Sequence, residues 1–161
     1  DSQLQSIVYW QLGSLAKVDF SSIIAVLPFL IIGTLILFVL RWHMTILSLG
    51  DQQARLEGIN VGMEQLLIIT ASTFLTAATV CLSGNIGWIG LVIPHVARLL
   101  VGDNTKETLP LAAVIGALFL LIVDTMARSL SAGEIPLSIL TGFIGAPLFV
   151  YILIKKKVQL N

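Results

Sequence analysis

The chain has 161 residues, 57% of them hydrophobic and only 11% charged, with nine basic against nine acidic side chains and a mean hydropathy of +0.98. That balance lies far from a soluble domain's and marks a polytopic integral membrane protein. Zero net charge, with no basic stripe and no aromatic–basic interleaving, excludes a nucleic-acid surface, and the lone Cys81 excludes a disulfide framework or a thiol metal site.

Residues 1–19 precede the first long apolar run. The chain begins at Asp1 with no methionine and no basic region leading into a signal-like core, so it is expected to be an excised part of a longer polypeptide; a processed chain is the alternative. Residues 20–42 are the first expected span, since 20–40 carry no charge and can cross about 30 Å of hydrocarbon. Residues 43–64 are too polar for lipid. Asp51 and Arg55 stand at i, i+4 with the acid first, the favourable order for a helical ion pair. Ile46, Leu47, Leu49, Ala54 and Leu56 supply apolar surface around them. Gly58 can end a short helix in the left-handed conformation, and Asn60 can cap the next helix, which runs on into the second span. Two short helices meeting at Gly58 are therefore expected at the membrane face, either as a solvated loop or as a docking element for a partner.

Residues 65–83 form the second expected span, with small or hydroxyl side chains from Thr70 to Thr79 around most of its circumference. Ordinary helix packing explains them, and the wall of a polar pathway is the other reading. Residues 84–101 break the pattern. Gly84, Gly87 and Gly90 recur at i, i+3 before Pro94 and Arg98, and a helix over 88–101 is about 21 Å long, short of a bilayer core. Such an element begins inside the membrane, and its irregular backbone must be buried in protein or line a cavity, as in broken-helix transport pathways. Pro94 removes a backbone hydrogen bond and crowds the carbonyl of residue 90, where glycine lets the chain tilt away; the result is a static kink or a hinge. His95 reads as a packed histidine and Arg98 as a snorkelling boundary residue, and His43 is too remote to imply a metal pair.

Residues 108–127 and 135–154 are the last two spans, with Ala112/Gly116, Ala113/Ala117 and Gly142/Ala146 spaced for close helix approach. A carboxylate inside a span is unfavourable by roughly 2.5–3.5 kcal/mol, so Asp124 should pair, and Arg128 lies at i+4. Glu134 is a rim contact or simply solvated. Arg41, Arg55, Arg98, Lys106 and Lys155, Lys156 and Lys157 fall on one side of the membrane, Lys17 and Arg128 on the other. The excess makes the first side cytoplasmic, with residues 1–19 and the connections near 84–87 and 128–134 external and the C-terminus cytoplasmic. Tyr9, Trp10 and Phe20 at the outer boundary and Trp42 and Tyr151 at the inner one agree.

Three motifs resemble the permease subunit of ABC importers for iron–siderophores, haem and cobalamin. Leu49-Gly50-Asp51 with Ala54-Arg55 and Gly58 is similar to that family's cytoplasmic coupling segment. Gly84-x-Ile86-Gly87-x-x-Gly90-Leu91-x-x-Pro94-His95-x-x-Arg98 is similar to its half-helix. Asp124-x-x-Ala127-Arg128, Glu134-Ile135-Pro136 and Gly142-x-x-Gly145-Ala146-Pro147 resemble its last two helices. Asn85, Trp88 and Glu57 depart from the residues usual there. The resemblance covers the whole chain but about half of a family member, the C-terminal half. It implies an all-α bundle of four full spans plus one half-length broken helix, part of a ten-helix permease in the bacterial inner membrane. It also implies a separate ATP-binding subunit, a second permease copy and a substrate-binding protein docked by Arg128, which Asp124 orients. ATP and magnesium belong to the partner subunit, so this chain is expected to bind no cofactor and catalyse no reaction.

Two rivals come from other classes. An intramembrane enzyme would need a nucleophile or metal set, but the chain has no H-E-x-x-H, no G-x-S-x-G and no second aspartate at the depth of Asp124. A secondary transporter would use Asp124 as a proton or ion site.

Overall fold

Residues 2–130 and 135–159 of the computed structural model are described, with side chains from residue 3 to Lys155; Glu134 lies outside them. Seven helices account for nearly all of these residues: α1 Ser2–Leu12, α2 Phe20–Leu47, α3 Asp51–Leu56, α4 Val61–Ser83, α5 Ile89–Val101, α6 Thr105–Leu130 and α7 Leu137–Gln159. Four of them, α2, α4, α6 and α7, are long and apolar enough to cross a membrane, and α5 is a shorter apolar helix.

Two of the long helices start on a side-chain cap. Asp19 caps α2, its carboxylate accepting from the Ser22 N–H at 3.0 Å and from the Ser21 and Ser22 hydroxyls. These bonds, led by the Ser21 and Ser22 hydroxyls, lower the Asp19 pKa from 3.8 to about 2. The 28 residues of α2 make a rod about 42 Å long, so it outruns the hydrocarbon core and ends at Leu47, past the expected boundary at residue 42. No glycine or proline interrupts its last turns, and a helix satisfies its own backbone there. Asn60 caps α4 by accepting from Met63 N–H at 3.3 Å.

The expected pair of short helices is one short helix, α3; the second is the first turn of α4, which runs unbroken to Ser83. The segment 1–19, read only as external, contains α1. Its 11 residues had too weak a periodicity to be seen beside the spans.

In lipid, apolar helices gain little by merely touching, so close approach at small residues decides which faces meet. α2 packs along α4, and Gly33 is the notch: a Cβ there would stand 2.6 Å from Leu75 Cγ. α5 lies against α6 and α7 through the buried Val92, Ile93 and Ala97, with Gly116 of α6 beneath Ile93. Val123, Ala127 and Leu137 form a cluster that Leu15, Ile86, Phe119, Leu140 and Ile144 close. Most other apolar side chains face outward; Phe20, Val39 and Phe143 are 78, 74 and 84% exposed. A bundle apolar all round has lipid or further protein against it.

Candidate functional site

The bundle has two structured ends. At one, α2 stops at Leu47, α3 follows, and α4 begins; the turn between α5 and α6 lies at the same end, where Thr45 Oγ1 donates to Asn104 Oδ1 at 3.2 Å. At the other, the end of α4, the residues after α1 and the start of α7 are stitched together. Ser14 N–H donates to Ser83 O at 2.8 Å and Leu137 N–H to Gly13 O at 2.9 Å.

At the first end, Gly50 (φ +112) and Gly58 (φ +78) bracket α3 in conformations that suit glycine. Ala54 N–H donates to Gly50 O at 3.1 Å and Gly58 N–H to Arg55 O at 3.1 Å, so the loop folds on its own backbone. Ala54 is fully buried, while Leu49, Asp51 and Arg55 are exposed. The ion pair expected between Asp51 and Arg55 does not form: among the described residues the acid–base contacts join His43 to Glu64 and Arg128 to Asp124. An exposed pair is worth only about 0–1 kcal/mol against the entropy of two long side chains, and α3 spans a bare 6 residues. Both side chains therefore stay available to a partner.

Between the ends lies the broken helix. α4 terminates at Gly84 (φ +70), residues 85–88 are not helical, and Trp88 starts α5 with φ +66, a left-handed value unusual for an indole-bearing residue. Ser138 of α7 clamps this stretch, donating to Asn85 O at 2.6 Å and accepting from Gly87 N–H at 3.2 Å. The irregular backbone at Asn85 and Gly87 is thus satisfied by protein. α5 then has 13 residues, about 20 Å, with Pro94 inside, and closes on Gly102 (φ +82), whose N–H donates to Arg98 O at 2.8 Å. A Cβ on Gly90 would meet nothing within 4 Å, so no contact in this chain demands glycine there. His95 Nδ1 lies 2.8 Å from Leu91 O, and its ring stands edge-on to Phe149 at 5.5 Å, a packed histidine.

The Asp124–Arg128 ion pair forms as its spacing predicts: Arg128 Nε donates to Asp124 Oδ2 at 2.9 Å, with Arg128 half exposed and Asp124 largely covered. Ser14, Ala16 and Ile135 surround it. The carboxylate accepts from Nε–H, and the half-exposed arginine has four further N–H donors.

Three contacts were not foreseen: the Ser138 clamp, the His43–Glu64 bond and the seat of Trp88. Gly142 and Gly145 together receive Trp88, a Cβ at either position falling 3.3 or 3.0 Å from that side chain. The i, i+3 glycines of α7 were the available signal.

Over residues 1–155 the sequence matches the FecCD transport family. The chain belongs to that family. It is 42% identical over 158 residues to the molybdate import system permease protein MolB of Haemophilus influenzae, covering 98% of this chain and 47% of that protein. It is 38% identical over 161 residues to the hemin transport system permease protein HmuU of Yersinia pestis, covering 99% and 48%. A solved inward-facing conformation described as a metal-chelate type ABC transporter superposes with a TM-score of 0.89 at 41% identity, over 96% of this chain and 50% of that one. This FecCD-family chain therefore spans about half the length of the curated relatives it matches. The resemblance drawn from the three motifs holds, as does the all-helical membrane bundle.

Proposed function

We propose that this chain forms the C-terminal half of the permease of an ATP-driven importer, with the α3 end cytoplasmic and the Asp124–Arg128 end external. The observation that carries the reading is the 13-residue α5, which runs from the stretch clamped by Ser138 toward the end bearing α3, beside four helices long enough to span. An ATP-binding subunit would seat on the exposed Leu49, Asp51 and Arg55. Its closure would move α3 and, through α2 and α4, the bundle. Gly84, Gly87, Gly90 and Pro94 would shape the pathway segment, and Arg128, held by Asp124, would dock a substrate-binding protein. A second permease copy would complete the pathway in the inner membrane.

The cargo class follows the relatives, whose names give molybdate in one case and hemin in another. A metal chelate, haem, cobalamin or related oxyanion is proposed, selected mainly by the binding protein. The chain itself would carry out no bond chemistry. Reconstitution in vesicles with the ATP-binding subunit tests this: uptake should require ATP hydrolysis. Uptake that survives ATP depletion and follows a proton gradient would overturn it in favour of an ion-coupled carrier using Asp124.

A further inference from the structure

The last turns of α2 are tied to two neighbours at once. His43 Nδ1 lies 2.9 Å from Glu64 Oε1 on the first turn of α4, across 21 residues of chain that contain the whole of α3. A carboxylate only accepts, so Nδ1 carries the proton and donates. One residue earlier, Lys106 of α6 lies over the Trp42 ring at 5.8 Å, and two residues later Thr45 bonds Asn104. The second carboxylate oxygen, Glu64 Oε2, is buried and has no hydrogen-bond partner. A side chain left half-satisfied in that position has no reason to be there for packing alone, because a leucine would fill the space without an orphaned acceptor.

Resting on the importer reading above, we infer that His43–Glu64 is a positioning clasp for the coupling segment. It closes the base of the α2–α3–α4 hairpin, so that a displacement imposed on α3 reaches α2 and α4 together instead of bending the loop at Gly50 and Gly58. The Thr45–Asn104 contact passes the same displacement toward α5 and α6.

The test is a double-mutant cycle in the transporter assembled with its ATP-binding subunit in vesicles, reading transport per ATP hydrolysed. His43→Ala and Glu64→Ala should each lower that ratio by roughly threefold or more, and the double variant should be no worse than either single one. Glu64→Gln, which keeps an oxygen acceptor for Nδ1–H and the shape of the side chain, should stay within about twofold of the parent. Basal ATPase activity and the thermal midpoint of the Gln variant serve to show that the assembly is intact. Multiplying losses in the double variant, an equal loss in Glu64→Gln, or unchanged ratios throughout would overturn the clasp. Failure of the importer reading looks different, because the parent protein would then show no ATP-dependent transport at all.

Discussion

Gly84 and Trp10 meet backbone to backbone: a Cβ on Gly84 would overlap the Trp10 carbonyl oxygen, with the Gly13 Cα 3.2 Å away. This crossing brings the end of α1 onto the end of α4 and sets where the broken stretch begins. Gly84→Ala therefore faces two penalties, a left-handed φ of +70 and an overlap with backbone that cannot rotate away. Gly58 has a similar φ of +78 but nothing within 4 Å of the missing Cβ. Gly84→Ala is expected to destabilise by more than about 3 kcal/mol and Gly58→Ala by only about 1–2 kcal/mol. Unfolding in mixed micelles, followed by circular dichroism, compares the two; equal effects would refute the crossing.

Trp88 should behave as a wedge between α5 and α7. Its left-handed backbone is tolerated because the side chain is seated at Gly142 and Gly145. Gly142→Leu pushes against the Trp88 indole, whose Cδ1 and Nε1 lie 3.3 Å from a Cβ at that position, and is expected to destabilise by about 1–3 kcal/mol. Combined with Trp88→Ala, the leucine should lose most of that effect, since the clash partner is gone. Additive losses, measured by the same unfolding assay, would place the indole elsewhere.

The spans, the glycine break and the Asp124–Arg128 pair were legible because each rests on spacing within one segment. Apolar runs of 20 residues, i, i+3 glycines and an i, i+4 acid–base pair leave a mark in the local sequence. The contacts that fasten the ends together were not. Ser138 meets Asn85 across 53 positions and His43 meets Glu64 across 21, and neither pair has a periodicity to reveal it. Asp51 and Arg55 show the opposite failure, a spacing that permits a pair whose exposed geometry does not retain it.

The α2 start should respond to acid. Asp19 is held at a pKa of about 2 against 3.8, so its capping bonds favour the folded helix end wherever the carboxylate is ionised, in full above about pH 4. That contribution falls away as pH drops through about 2, and protonation then releases the Ser22 N–H. Amide exchange at the first turn of α2 should accelerate in this window. Ser21→Ala, which removes the leading hydroxyl, should raise the midpoint toward 3.8. An unchanged midpoint in the Ser21 variant would contradict the assignment.

Arg128→Glu should weaken association with the substrate-binding protein about tenfold at low ionic strength, because an outward cation is replaced by an anion beside Asp124. Raising salt should shrink the difference, as expected for charges exposed at a rim. Asp124→Asn leaves Arg128 charged but unheld and should produce a smaller loss. Surface-binding measurements with the permease in nanodiscs read both. Unchanged affinity of Arg128→Glu at low salt would remove this arginine from the docking face.

Gly58→Pro combined with Arg55→Glu attacks the coupling segment by two routes. Proline cannot adopt φ +78 and has no N–H to give to Arg55 O, so the turn between α3 and α4 must rearrange. The glutamate reverses an exposed charge on the face that an ATP-binding subunit would meet. Arg55 and Gly58 are both exposed and neither lies within α2, α4, α6 or α7, so those helices should fold and insert as before. The expected outcome is an assembled complex whose basal ATP hydrolysis persists while its stimulation by loaded binding protein is lost. Stimulation that survives both changes would mean that α3 does not carry the signal, and the exposed Leu49, Asp51 and Arg55 would need another role.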